Sequence, residues 1–505
     1  MLIVNINADS MRTLNSRFKI FLPVFFLAIP LSIHAQDYRA IHGSSYAGSL
    51  AVGNNPASIV YVPYSWDFTP LAFQYKYTTN AVSITDASYL PPWTKTEVKS
   101  SNGTFKRYLL GNLDMKLLNA RIRLKNNDAI AFGISGRAYL SANTSTISML
   151  DSIDQVRDFM GLNIGNTPIA ADGRANMWTE IFGTYARTIT SFSNGILNAG
   201  VTLKLNYGLA GGFLNTSGLN ETAGLVNNQP GYYLTNGVLE YGYSANQDVF
   251  DSAFTFKQGL KDFFNKTFKT VGLSLGAEYI IPADMGGDPA GYGYSLKIGV
   301  SILDLGYNKY EFSQYSRSAV LNKGNVSDSL IDTYFSNIVD PASMADSLQI
   351  IAGSTSVLPG NFKVYQPGRL VINVDKNITG NFYVNGELTL PISAILGKTQ
   401  LIAPDMNLAT LTPRYETSRF GIYFPFSLNT KKDFWVGGAI KAGPFLMGFH
   451  NLSNIFAKDK LNKGGAYMAL TFRFGGKDEN IEEEISNQKT YNRASKQLKC
   501  PPGLR

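Results

Sequence analysis

Three histidines and one cysteine in 505 residues leave few side chains for nucleophilic or metal chemistry. His34 falls in an apolar N-terminal run, which leaves His42 and His450. His450-Asn451-Leu452-Ser453 sets an imidazole three residues before a hydroxyl, the kind of neighbour a serine nucleophile needs. No third orienting group or oxyanion donor accompanies the pair, so no catalytic residue is assigned and His450 reads as a structural or rim residue. Cys500 stands alone, which excludes an internal disulfide and a cysteine-based zinc site. It is an idle thiol or an intermolecular link. The 47 glycines form no phosphate-cradling loop, and no cofactor or metal is expected.

The chemistry that remains is charge, and its placement depends on strands. From about Trp66 onward apolar and small or polar residues alternate with period 2, which sends successive side chains to opposite faces of a strand. Within 197–209 the odd positions run Leu197, Ala199, Val201, Leu203, Leu205, Tyr207 and Leu209, against Asn198, Gly200, Thr202, Lys204, Asn206 and Gly208. The same rhythm recurs at 129–140, 271–279 and 292–302, and more weakly at 115–125, 178–188, 231–243, 369–376, 380–390, 418–427 and 433–442. Segments of nine to thirteen residues exceed ordinary globular strands and suit a tilted bilayer crossing. Parity puts Arg121, Arg123, Arg137, Lys204, Lys297, Lys441 and Arg473 on the small, polar face, with Glu278 and Glu387. If that face lines a lumen, seven cations against two carboxylates favour anions such as fatty-acid carboxylates. The alternative is that the cations pair with carboxylates on loops and on an internal segment.

Composition narrows the class. Charged residues are 16%, under the roughly 25% of ordinary soluble proteins. Hydrophobic residues are 44%, with 31 Phe and 28 Tyr. A soluble α/β enzyme is not expected. Arg12, Arg17 and Lys19 precede an apolar run from Ile20 to Ile33, and Ala35 follows, the layout of an export signal cleaved after Ala35. Met11 could equally be the start. Losing those three cations and Asp9 lowers the net charge from +8 to +6, and no basic stripe suggests nucleic acid.

The polar face is mostly Gly, Ser and Asn, where a sandwich surface in water would carry many Lys, Glu and Thr. The apolar face includes Tyr207, Tyr279, Tyr292 and Tyr294, rings suited to a headgroup boundary. Hydrocarbon offers no partner for an open sheet edge, so the strands must close on themselves. The expected fold is all-β, a closed antiparallel transmembrane barrel of about fourteen strands. Asn126-Asn127-Asp128 and Thr379-Gly380-Asn381 read as tight turns on one rim. Residues 142–176, 213–230, 244–269 and 314–366 read as long connections on the other, with short helices at 257–268 and within 325–351. Residues 1–35 form the signal, 36–63 an internal segment, 64–474 the barrel and 475–505 a charged periplasmic tail.

Two motifs carry a family resemblance. Tyr467, Met468, Leu470, Phe472 and Phe474 make a last strand that resembles the terminal assembly signal of bacterial outer-membrane proteins, except that 31 residues follow it. Gly43-Ser-Ser-Tyr46 through Gly53-Asn54-Asn55-Pro56-Ala57-Ser58 resembles the entry of the FadL/toluene-transport barrels. The chain as a whole, including Arg419-Phe-Gly-Ile-Tyr-Phe-Pro and Gly464-Gly-Ala-Tyr-Met-Ala-Leu, is similar to a Bacteroidetes barrel family catalogued as a domain of unknown function. The FadL resemblance implies a fourteen-stranded barrel with Asn54, Asn55 and Pro56 in an N-terminal plug, and lateral release of small hydrophobic molecules. It also implies the Gram-negative outer membrane as location, with lipid, barrel-assembly machinery and a hydrophobic small-molecule ligand as partners. The segment could instead be an ordinary polar turn leading into the first strand. Other readings stay open: a docking barrel for a secretion or surface-assembly partner, and an outer-membrane lipase using Ser453 and His450.

Overall fold

The computed structural model describes residues 38–475, apart from 87, 90–96, 126–127, 167, 193, 227, 252–255, 284–292, 325, 337, 393–400, 403 and 457–459. The export signal, the tail from 476, Cys500 and the 126–127 turn lie outside the described residues. Long strands dominate: β1 (Trp66–Thr79), β2 (Gly103–Lys125), β3 (Asp128–Met149), β4 (Ile169–Phe192), β5 (Gly195–Val226), β6 (Gln229–Tyr243), β7 (Lys269–Pro282) and β8 (Tyr294–Leu305). Shorter pieces follow: β9 (Tyr307–Glu311), β10 (Arg317–Val320), β11 (Ser354–Val357) and β12 (Asn361–Tyr365). The wall resumes with β13 (Arg369–Thr379), β14 (Phe382–Pro391), β15 (Asn407–Glu416), β16 (Phe420–Tyr423) and β17 (Phe426–Asn429). It ends with β18 (Phe434–Val436), β19 (Gly438–Ala442), β20 (Phe445–Phe449) and β21 (Lys463–Phe474).

Every wall neighbour is antiparallel, and β21 pairs with β1 from Trp66↔Phe474 to Thr78↔Lys463. This closes a fourteen-stranded barrel in which β6 and β7 share one wall position, as do β8 with β10, β11 with β13, β16 with β17 and β18 with β19. The Trp66 and Phe474 rings stack at 3.9 Å over the seam. Alternation is realised as burial: Lys204, Asn206 and Thr202 turn inward and are buried, while Leu203 and Leu205 face out. Among the described residues no helix is long and apolar enough to cross a membrane, so any crossing is by strands.

Three sequence expectations need correction. Residues 213–230 are not a long connection, because β5 runs to Val226 and turns directly into β6. The 142–176 connection shrinks to 150–168, as β3 and β4 extend into it. Tyr294 faces inward with 3% exposure, because the register shifts between Tyr294 and Leu296. A bulge of this kind inserts an odd residue and inverts every parity assignment beyond it. Tyr292 lies outside the described residues.

The two rims differ. One carries tight turns such as Gly380, whose φ of +53° favours glycine. The other rises on β5, 32 residues long, against the nine to eleven a bilayer needs. There α1 (Val156–Asn163), α3 (Asp328–Phe335) and α4 (Pro341–Ile351) pack with β6 and β10 around Leu239, Tyr241, Ala319 and Leu348. A further helix, α2 (Phe256–Asn265), lies between β6 and β7.

Two measurements check this architecture. In lipid vesicles Leu203→Arg should lower unfolding stability by about 2–4 kcal/mol, and Leu203→Ala by less; equal costs would mean that Leu203 does not face hydrocarbon. Near the tip of the tall rim, both carboxylate oxygens of Glu221 are buried without a hydrogen-bond partner, and burial pushes its pKa up from 4.5 to about 7. The folded chain then holds this proton more tightly than the unfolded one, so the contribution is present at low pH and lost as pH rises through about 7. The stability difference between wild type and Glu221→Gln should therefore change between pH 4.5 and 7, to the wild type's disadvantage as pH rises; a flat difference would refute it.

Candidate functional site

Residues 38–64 lie inside the barrel as three 3₁₀ turns, Tyr38–Ile41, Gly48–Gly53 and Pro56–Ile59. Their apolar side chains form one buried cluster with inward residues of the wall, among them Phe182, Tyr423 and Tyr467. Asn55 builds the third turn: its Oδ1 accepts from the Ala57 N–H at 2.9 Å, and Pro56 supplies a preset φ at the first helical position. Its Nδ2 donates to the Ala277 carbonyl at 2.9 Å. The wall makes room with glycine, since a Cβ on Gly200 would come within 2.5 Å of the Pro56 carbonyl carbon. Asn54 Nδ2 donates to Glu387 Oε2 at 2.8 Å, and His42 Nδ1 lies 2.7 Å from the same oxygen.

The inward charges fall into two groups. Some grip the internal segment: Ser58 donates to Glu278 at 2.6 Å, and Lys297 Nζ donates to Ser45 Oγ at 2.6 Å. Arg121 donates to the Ile59 and Tyr64 carbonyls while pairing with Asp67 at 2.6 Å. Arg123 donates to the Val62 and Tyr64 carbonyls. The rest pair with carboxylates. Arg137 and Lys204 each reach Asp304 at 2.7 Å, Arg369 joins the same carboxylate, and Lys204 also meets Glu180 at 3.1 Å. Lys76 pairs with Asp405 at 3.0 Å, Arg414 with Asp375 at 2.7 Å, and Lys441 with Glu416 at 2.9 Å. Arg473 donates to the Gly443 carbonyl at 3.1 Å on the tight-turn rim.

Strand parity had shown seven cations and two carboxylates. It misses Asp67, Asp114, Glu180, Asp304, Asp375, Asp405 and Glu416, and also the cations Lys76, Arg369 and Arg414 that some of them meet. Asp304 sits beyond a register shift at a φ of +58°, Asp405 arrives from a loop, and Glu180 shares its face with Trp178 and Phe182, which blunts the alternation. Of the last strand, Met468, Leu470, Phe472 and Phe474 pair with β1 across one register shift between Phe68 and Leu71, while Tyr467 turns inward and its ring lies 5.5 Å from His450. Ser453 donates to Asn454 Oδ1 at 3.5 Å.

The wall itself is interrupted. On β5, Tyr207 is opposite Lys269 of β7 and Gly212 is opposite Tyr243 of β6; the Gly208 N–H donates to the Phe268 carbonyl and the Gly211 carbonyl accepts from the Ser244 N–H, so on this side the backbone ladder is missing at residues 209–210. At about 3.4 Å per residue the break is roughly 7 Å tall. Three neighbouring wall positions open at this level, through excursions at 244–268, 306–316 and 358–368. The β9–β12 ribbon, paired Tyr307↔Tyr365 to Glu311↔Asn361, folds inward against β4 and β5. Tyr310 lies flat on Gly208 and Gly211, where a Cβ would meet its ring at 2.7 and 2.4 Å, and its hydroxyl donates to Asn176 Oδ1 at 2.7 Å. In the gap between α2, the ribbon end and Leu358–Gly360 lies a cavity of about 640 Å³. Beside the internal segment the cavity bounded by Arg137, Glu180, Lys204 and Asp304 is about 40 Å³, room for a water or two.

The sequence profile of a family of unknown function, DUF5723, matches residues 56–450. No functionally curated protein matches the chain. Solved structures that are distantly similar include two transport barrels. One is a FadL homologue of Pseudomonas aeruginosa, at 10% identity over 88% of this chain and 99% of that one, with a TM-score of 0.38. The other is the toluene transporter TodX of Pseudomonas putida, at 10% identity over 88% and 98%, with a TM-score of 0.38.

Asp304 is the carboxylate shared by three inward cations, so Asp304→Asn should leave them short of one negative charge, with only Asp114, Glu180 and Asp405 to offset them, and cost about 3–5 kcal/mol in denaturant unfolding. Asp172→Asn, on a half-exposed pair with Arg174, should cost under about 1 kcal/mol. Equal small losses would show that the Asp304 network carries no stability.

Proposed function

This chain belongs to the DUF5723 family of unknown function, and we propose that it is an outer-membrane channel for small hydrophobic or amphipathic molecules. The observation that carries this reading is the break in the wall. Below it, Leu203, Leu205, Val271, Leu275, Ile298 and Val300 expose an apolar surface that water disfavours and hydrocarbon accepts. A cavity of about 640 Å³, in the size range of small-molecule sites, lies among the excursions beside the break. A vertical aqueous path is not what the lumen offers, because residues 38–64 and the ionic network occupy it. A molecule dissolved in lipid reaches the break sideways without crossing water.

In this reading residues 1–35 export the chain, residues 36–63 plug the barrel, outer-membrane lipid surrounds it, and the barrel-assembly machinery recognises β21. A second reading, a docking barrel, draws on the tall rim, where a groove of about 610 Å³ runs between α1 and the β5–β6 hairpin. The lipase reading gains no support from Ser453, whose hydroxyl is turned to Asn454.

The test closes the gap chemically. In a Cys500→Ser background, Asn265→Cys and Pro359→Cys place thiols on two sides of the cavity. Bridging them with a bis-maleimide should reduce uptake of a radiolabelled alkane by host cells to the empty-host level, while either single cysteine leaves uptake unchanged. Uptake that survives the bridge would refute lateral passage; uptake at background before bridging would favour the docking reading.

A further inference from the structure

We propose that the inner floor of the wall break recognises an uncharged polar head, the hydroxyl or amide of a small amphiphile. The inference deepens the channel reading and rests on it. Four buried amides gather here: Asn206 and Asn308 at 0% exposure, Asn176 at 1% and Gln366 at 3%. Asn206 and Gln366 converge on one point, since a Cβ on Gly272 would lie 3.1 Å from Asn206 Nδ2 and 3.4 Å from Gln366 Oε1. Gln366 is tied by its backbone N–H to the Gly306 carbonyl at 3.0 Å, at the foot of the ribbon. Two residues further along, Asn308 donates to Asn176 Oδ1 at 2.9 Å, an oxygen that also accepts from Tyr310.

These bonds use only part of what the amides carry. Asn206 Nδ2, Gln366 Nε2 and Asn176 Nδ2 remain as donors without partners, and Asn206 Oδ1, Gln366 Oε1 and Asn308 Oδ1 as acceptors. Buried polar atoms are rarely left so, and six at one place mark a site that something polar completes. Free donors matched by free acceptors suit a hydroxyl, which donates one bond and accepts two, or an amide, which does both. A carboxylate brings acceptors alone. An alkane brings nothing.

Charge points the same way. Of the inward cations on neighbouring strands, Arg137, Lys204 and Arg369 converge on Asp304, and Arg174 pairs with Asp172. An incoming carboxylate would have to compete with those aspartates for them, whereas a hydroxyl disturbs none of the pairs. The excess of inward cations read from strand parity therefore does not translate into anion selection.

The test compares uptake of radiolabelled 1-octanol, octanoate and n-octane by host cells expressing the full chain. Wild type should take up octanol faster than octanoate. Asn206→Leu and Gln366→Leu should each slow octanol roughly tenfold, the effect of one lost hydrogen bond to a buried partner, and leave octane little changed. An octanol-to-octane ratio unmoved by either variant overturns this inference and leaves the channel reading standing. Wild-type uptake of all three at the empty-host level overturns the channel reading first. Should a leucine variant fail to reach the membrane, the nearly isosteric Gln366→Glu replaces a donor with a charge. It should lower octanoate uptake relative to octanol, and an unchanged or opposite ratio overturns the proposal.

Discussion

A strand immersed in hydrocarbon has no solvent to satisfy its N–H and C=O groups, so each must find a partner in another strand. In the membrane setting proposed above, that demand shapes the whole chain. It explains why β21 must return to β1 across the full length of the polypeptide, with Trp66 stacked on Phe474 over the seam. It also makes the break in the wall costly, and the compensation is visible. Where β5 loses its ladder, Asn246 Nδ2 and Gln247 Nε2 donate to the Leu209 carbonyl at 2.7 and 3.0 Å. Ser244 Oγ accepts from the Gly211 N–H at 3.2 Å. Side chains of the 244–268 excursion stand in for missing backbone partners, so the opening is stitched at its edges.

The same economy governs the interior. A closed barrel of this width would hold water unless filled, and residues 38–64 fill it with apolar side chains facing Phe182, Tyr423 and Tyr467. Charges left inside a desolvated lumen must be neutralised where they stand. Asp304 meets Arg137, Lys204 and Arg369, and Asp375 and Glu416 meet Arg414 and Lys441. Other cations spend their donors on carbonyls of the internal segment, as Arg121 and Arg123 do. A lumen organised in this way is held shut by pairs, and the neutral amides at the wall break are among the buried groups with hydrogen-bonding capacity to spare.

The sequence was most legible where one face of a strand meets a uniform environment. The alternation over 197–207 and 271–279 sets the facing of β5 and β7 residue by residue, because their shared ladder runs from Ile196↔Ile280 to Tyr207↔Lys269 without a register shift. Where the register shifts, at Tyr294 and again before Leu305, parity misplaced one tyrosine and hid Asp304. The tall rim was legible only as composition: 213–230 looked like loop because its Asn, Gly and Thr residues pack against a partner strand and helices rather than lipid.

By itself, then, the order of residues determined the class of fold, the inward or outward facing of most wall residues and the strand that seals the ring. Each of those follows from a local, period-2 pattern that any short window contains. Tertiary structure decided which carboxylate meets which cation, where the wall parts, and which amides are left with unused donors and acceptors. Those outcomes join residues as distant as Asn54 and Glu387, separated by 333 positions. Ring closure alone brings them within reach, and no local pattern encodes it.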